Sequence, residues 1–481
     1  MMDARIDVGD AERVLAEAMR AADRRDIYWS NELLYRWLAT AKHPTYPRRL
    51  AYLRRLARSG GIPGAAVAFA RVLAKRGDLN SALKVADAGL ADARKLPGTL
   101  QLHVIENQII ALRWTLAGKR VPRALARYLG DDDGYLFGRT CHVPFERVDI
   151  QDNGNCVVCC SQWMTGFSLG NVFDGNSASE LFNNDQAVAA RRSMLDGSFK
   201  FCDLVKCPKI SGDNLPTKQH QFPEWQHNTR QALDRGELRF DGPSVVYLIL
   251  DISCNLTCPS CRTHLITEKL ELQLRKETLI ETSIMPLLRG AYRVHVNSGG
   301  EWLVSRPLRR LLSRLSKAEF PNLHLSIISN GTLFNEREWS KFQGLHDLTD
   351  SIRISTDAAR KETFEKLRRG AKREPFVDNL AFLAGLRAKG AIKEFILSFT
   401  FQVDNFREMP AFVEMARELH PDTIVQFEKL GNWGTFTADE YQAKAVHHMD
   451  HPLHEEFLSI IRRPEMRQER PNLRAEYMAL L

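Results

Sequence analysis

Residues 245–261 read VVYLILDISCNLTCPSC. The first seven are an apolar, β-branched run of strand length. Cys254, Cys258 and Cys261 follow at once, at spacings of four and three. A loop this short, leaving the end of a strand, can turn three sulfurs toward one point. Thiolates so placed suit a metal or cluster site. Three protein ligands on a four-iron cluster leave one iron open, as catalytic metal sites do.

Downstream, further strand-like runs start near Arg293 (RVHVNS), Leu323 (LHLSIIS), Ser351 (SIRIS), Phe395 (FILSFTF) and Thr423 (TIVQFE), each 28 to 48 residues after the last. Such spacings leave room for a crossover helix, Pro307–Leu315 and Lys361–Arg368 among them, so the runs predict parallel βα units. Residues 244–436 are therefore expected to form an α/β domain with a six-stranded parallel sheet, open or curled into a partial (βα)6 barrel. Its ligands belong at the carboxyl ends of the strands. Phe427, Glu428 and the turn Asn432–Gly434 lie where the last strand meets that edge. The tail 437–481 reads as helical, at Thr437–His448, Leu453–Ile461 and Asn472–Leu481.

Upstream, residues 1–129 read as all-α. Apolar residues recur at three and four in Ala11–Met19, Leu33–Leu38, Leu50–Leu56, Ala65–Leu73 and Leu79–Leu90. The first 130 residues hold 23 Lys+Arg against 12 Asp+Glu, which more than accounts for the net charge of +8. Glu146–Cys160 reads as a hairpin turning at Asp152-Asn153-Gly154. Ser177–Leu195 reads as a helix, and 218–243 as a polar linker. All nine cysteines fall within 141–261. An odd number so clustered argues for metal or redox chemistry over a disulfide framework. No run reaches the roughly 18–20 apolar residues of a membrane span, and the N-terminus lacks the apolar core of a secretory signal. The expectation is a cytoplasmic protein without membrane contact.

The triad, Ser298-Gly299-Gly300-Glu301 after the second strand, Ser329-Asn330-Gly331 after the third and Ser355-Thr356-Asp357-Ala358 after the fourth together resemble the radical S-adenosylmethionine (radical SAM) enzymes, over about 245–428. Leu367-Arg368-Arg369-Gly370 fits the same pattern. The resemblance implies a [4Fe–4S] cluster on Cys254, Cys258 and Cys261, with S-adenosylmethionine (SAM) chelated by its open iron. It also implies SAM contacts from Gly299, Gly300, Glu301, Asn330 and Ser355. Ser260 departs from it, standing where many members carry an aromatic residue near the adenine. A structural zinc site completed by His264 is the competing reading of the triad.

Cys141, Gly154, Cys159, Ser168–Val172, Arg191-Arg192 and Cys202-x4-Cys207 resemble the SPASM/twitch accessory domain of those enzymes, over 130–217. This implies one auxiliary [4Fe–4S] cluster on Cys141, Cys159, Cys202 and Cys207; a zinc ribbon competes. That domain normally follows the barrel, whereas here it precedes it, and its last pair is usually C-x2-C. Strand alternation puts Cys156 and Cys160 opposite Cys159, as small buried hydrophobes or as hydrogen donors to a substrate radical. Leu79–Arg94 resembles a piece of a tetratricopeptide-type repeat, an array that binds a peptide, carrier or partner protein.

The reaction implied is reductive SAM cleavage, hydrogen-atom abstraction and oxidation of a peptide, protein or sugar-type substrate, fed by a reductant such as flavodoxin or ferredoxin. A redox-neutral epimerase with a cysteine hydrogen donor and a zinc-stabilised interaction scaffold are the alternatives. The basic N-terminal segment raises nucleic acid as a partner, but no aromatic-interleaved basic stripe accompanies it.

Overall fold

The computed structural model describes residues 136–466 apart from 137, 162, 165, 198, 204–206, 212–213, 297–298 and 449–450. It also describes 473–475, 78–95 and positions 54, 66, 69, 70 and 73. The helices expected at Ala11–Met19 and Leu33–Leu38, most of Leu50–Leu56, and Ser298 lie outside the described residues.

The chain divides into two compact units. One comprises Met1–Thr140, Cys160–Phe167 and Ser193–Gln219. The other comprises Cys141–Cys159, Ser168–Arg192 and His220–Leu481. In the first, Leu79–Lys95 forms the helix its spacing predicts. The Asp78 carboxylate accepts the Ser81 N–H at its start. Ala82 and Ala86 are buried. A short ladder also ties 136–140 to 214–219, through the Arg139 and Thr217 bridge and the Thr140 N–H donating to the Pro216 carbonyl.

The second unit carries the sheet. Its strands are β1 (Arg147–Gln151), β2 (Asn155–Val157), β3 (Gly170–Asn171), β4 (Val245–Ile249), β5 (Arg293–Val296), β6 (His324–Ser329), β7 (Thr349–Ser355), β8 (Glu394–Phe401), β9 (Ile424–Lys429) and β10 (Leu473–Ala475). They pair in the order β10-β9-β8-β7-β6-β5-β4-β1-β2-β3. All six expected strands are present as β4 to β9, parallel and in sequence order. Period-two alternation sets two faces. Val246, Leu248, Leu325, Ile327, Ile352, Ile354, Leu397 and Phe427 are buried on one of them. Tyr247, His295, Ser326, Arg353 and Gln426 share the other.

Four details differ from the expectations or refine them. Of the helix expected at Asn472–Leu481, only 473–475 lie among the described residues, and Leu473–Ala475 pairs with β9 as a further parallel strand, because the edge of β9 offers unpaired backbone groups. The stretch 218–243 is more than a linker. It holds the helix His227–Arg235, whose buried Asn228 donates to the carbonyls of Phe145 and Gly242. The hairpin does not stand apart from the sheet, since β1 pairs in parallel with β4 from Arg147↔Val245 to Gln151↔Ile249. Val148 and Ile150 are fully buried there. The expected helix Ser177–Leu195 breaks at Asn183 into Ala178–Phe182 and Asp185–Leu195.

Arg191 holds the segment after the hairpin. It is fully buried and donates to the carbonyls of Pro144, Phe182 and Leu238. Its guanidinium lies over the Phe182 ring at 4.2 Å. Among the described residues no helix is long and apolar enough to cross a membrane.

Candidate functional site

The loop after β4 is fixed by its own backbone and by the strand ends beside it. The Asp251 carboxylate accepts the Ser253 N–H at 2.7 Å. The N–H of Cys254 donates to the Ile266 carbonyl and that of Thr257 to the Arg369 carbonyl, both at 3.0 Å. The Cys261 N–H closes a turn onto the Cys258 carbonyl. The Arg262 guanidinium bridges the carbonyls of Ile252 and Gly299. Three segments that are distant in sequence are thereby joined at the carboxyl edge of the sheet.

Each of the three sulfurs receives an N–H donor. Cys254 Sγ accepts from the Leu256 N–H at 3.4 Å and from Asn330 Nδ2 at 3.7 Å. Cys258 Sγ accepts from Arg368 at 3.8 Å. Cys261 Sγ accepts from Arg262 at 3.5 Å. Burial pushes the thiols of Cys254 and Cys258 up from their ordinary range, and Arg368 opposes that shift at Cys258. Donors aimed at sulfur stabilise a thiolate, the form that binds metal. Among the described residues no three His, Cys, Asp or Glu side chains gather as ligands of a single ion. Three thiols, each with an N–H donor, are the kind of donor set a four-iron cluster takes. His264 is exposed, with its ring nitrogen 3.1 Å from the Thr263 hydroxyl.

The glycines after β5 serve the loop itself. A Cβ on Gly300 would stand 2.0 Å from the Ser253 carbonyl oxygen. Glu301 follows, fully buried. Its carboxylate accepts the Asn330 N–H at 2.7 Å, the Leu303 N–H at 3.3 Å and the Ser329 hydroxyl at 3.0 Å. Burial pushes the carboxyl up to about 7 against those donors. Asn330 also donates to Asn255 Oδ1 at 2.9 Å. Ser355 ends β7 on the same face as Arg353. Two residues on, Asp357 takes the left-handed backbone conformation at φ 63° and is buried.

On the same face, from the middle of the strands toward their amino ends, lies a cavity of about 380 Å³. Tyr247, His295, Ser326, Arg353 and Gln426 line it, with the charged Arg293, Asp350, Lys393 and Glu394 at the amino ends of the strands. Arg353 donates to Glu428 at 2.9 Å, and its buried Nε has no partner. Tyr247 stacks on His295 with centroids 4.1 Å apart. The Arg147 guanidinium, clamped by Asp149, lies 3.5 Å above the Tyr247 ring. His295 is pushed down to about 3, by burial and then by Arg147, Arg293 and Arg353, so its ring is neutral at ordinary pH.

Glu428 faces this cavity, but Phe427 does not. Phe427 packs on Phe399 and Phe412 across the opposite face, as alternation requires. Asn432–Gly434 is an exposed turn in which Asn432 Oδ1 accepts the Gly434 N–H. Strand alternation ends at Val157, so it governs Cys156 but not Cys159 or Cys160, which lie in the bend beyond β2. Cys156 pairs across from Ile150, on the face away from Tyr247. Burial, with Asp149 second, pushes its thiol up to about 12. Cys159 is near enough to Arg147 and Tyr247 for charge interaction. Cys141 and Cys159 belong to the sheet-bearing unit, and Cys160, Cys202 and Cys207 to the other. Reading the sequence singles out neither Arg262 nor Arg368 as a sulfur donor. The run Leu367–Gly370 is the one signal for the latter.

These features define an α/β protein with a three-thiol loop at the carboxyl edge of a parallel sheet. Residues 141–208 match the family model of SPASM, an iron–sulfur cluster-binding domain. Six of the nine cysteines fall in that span. No curated protein matches the chain.

Proposed function

We propose that this chain is a radical SAM oxidoreductase. The observation that carries the reading is the three-thiol loop, with a donor on each sulfur and the ends of β5, β6 and β7 tied to it. Cys254, Cys258 and Cys261 would hold a [4Fe–4S] cluster, which would supply the electron for reductive cleavage of SAM and so for hydrogen-atom abstraction from a substrate C–H bond. Cys141, Cys159, Cys202 and Cys207 would hold an auxiliary cluster, which would supply an acceptor for the substrate's second electron.

The chain's own residues do the positioning. Asn330 and Ser355, at the ends of β6 and β7, join Gly299, Gly300 and Glu301 as the residues that would contact SAM. Gly299 and Gly300 keep the second loop pressed on the first, and Glu301 locks the third to it. The cavity toward the amino ends of the strands carries both signs of charge, Asp350 and Glu394 beside Arg293, Arg353 and Lys393, and with the unpartnered Nε of Arg353 it favours a polar group over an aliphatic one. Cys156 faces away from that cavity, which favours net oxidation over return of a hydrogen atom from this thiol. The proximity of Cys159 to Tyr247, a cavity residue, supports an acceptor on that side. A small redox protein such as flavodoxin or ferredoxin fits as electron source, and the N-terminal helices as the binder of a peptide or partner protein.

The test is anaerobic reconstitution with iron and sulfide, followed by dithionite and SAM. Wild-type protein is expected to release 5′-deoxyadenosine. The variant with Cys254, Cys258 and Cys261 all changed to Ala is expected to lose that activity at least a hundredfold and to hold about four fewer irons. Undiminished release from the variant, or zinc without sulfide in the wild type, rejects the reading.

A further inference from the structure

We propose that Arg368, gripped by Asp357, is a positioning residue that makes the triad's iron–sulfur group easier to reduce by donating to the sulfur of Cys258. The inference rests on the cluster assignment above.

Arg368 caps the helix Lys361–Leu367. Its neighbour Arg369 is exposed and contributes only its carbonyl, to Thr257. Arg368 instead turns inward. One guanidinium nitrogen pairs with Asp357 Oδ2 at 2.8 Å, another donates to Cys258 Sγ at 3.8 Å, and Nε is buried without a partner. Among the described residues this is the one side chain that donates to that sulfur. Asp357 is itself held from several sides. The Thr400 N–H donates to its Oδ1 at 2.7 Å, its carbonyl accepts Asn405 Nδ2 at 2.9 Å, and its N–H donates to the Ser398 carbonyl at 3.2 Å. A non-glycine residue at φ 63° is strained and persists where its surroundings over-determine it. The strain sets the carboxylate where it aims Arg368 at the triad.

A buried cation donating to a cluster sulfur draws charge from it and favours the reduced state. The other two sulfurs differ. Cys254 has neutral donors, and Arg262 is shared with the carbonyls of Ile252 and Gly299. Arg368 is the one of these two cations whose charge is set by a buried carboxylate, Asp357.

The experiment compares full-length wild type, Arg368→Gln and Asp357→Asn, reconstituted anaerobically without SAM. Iron and sulfide are counted, and the reduced cluster is titrated potentiometrically by electron paramagnetic resonance. Arg368→Gln is expected to keep its iron but to show a reduced-to-oxidised ratio about tenfold lower at a fixed potential, the worth of one charge-assisted hydrogen bond; that is about 59 mV for one electron. Asp357→Asn removes the counter-charge, and asparagine tolerates the left-handed conformation. Its ratio is expected to move the opposite way, so the pair remains informative where Arg368→Gln takes up no iron. Ratios unmoved in every variant that holds iron, or an Asp357→Asn ratio that falls, overturn the inference alone. Wild type that takes up no iron overturns this inference together with the cluster assignment.

Discussion

Glu301 is a fully buried carboxyl group. Three donors converge on it, yet burial outweighs them and its pKa rises from 4.5 to about 7. Between those values the folded protein binds more protons than the unfolded one, so stability falls as pH rises through that window. The expected loss is about 3 kcal/mol from pH 4.5 to pH 7. Urea denaturation of the cluster-free protein across that range checks it, and Glu301→Gln is expected to flatten the slope. A glutamate after two glycines at a strand end is legible in the sequence as a candidate ligand group. Its burial is not, because it depends on Ser329 and Asn330 arriving from another strand. Arg368 and Arg369 make the same point. They are adjacent and chemically identical, and only the helix end determines which one turns toward Cys258.

Elements were the most legible level. β4 to β9 each carry the alternation or apolar run that a parallel strand needs, and each stands where the spacing puts it. Failures came at the ends. Leu473–Ala475 is too short for its own pattern to distinguish strand from helix, and pairing with β9 settled it. β2 stops at Val157, two residues before Cys159, so alternation could not orient the last cysteines. At this scale Gly300 offers a clean test. A Cβ there would meet backbone, which cannot swing aside. Gly300→Ala is expected to cost about 1–3 kcal/mol, the usual range for overpacking. It should also lower iron uptake, because the Ser253–Cys254 backbone must shift. Gly299, whose nearest neighbour at 3.1 Å is the Ile252 side chain, should tolerate the same change better.

For the whole molecule, the consequential pairing is β1 against β4. It makes the hairpin at the start of the segment that matches the cluster-binding family part of the central sheet. Five parallel residue pairs and the buried side chains of Val148 and Ile150 lie on that seam. A chain beginning at His220 would leave β4 as a bare edge beside the triad. Such edges template aggregation. Residues 220–481 expressed alone are expected to form soluble aggregates or to unfold without a cooperative transition. Size-exclusion chromatography and thermal melting check this. A monodisperse, cooperatively melting fragment would mean that the seam contributes little.

The amino-acid sequence alone specified the alternation of strand and helix, the six parallel strands and the thiol-bearing loop after the first of them, since these follow from local periodicity and spacing. Tertiary structure decided which side chains meet: Glu301 beneath the Asn330 turn, Arg368 on Cys258, β1 beside β4. Those contacts join residues between 28 and 110 positions apart. Local pattern carries no record of a partner at that distance; chain folding and the exclusion of water select it.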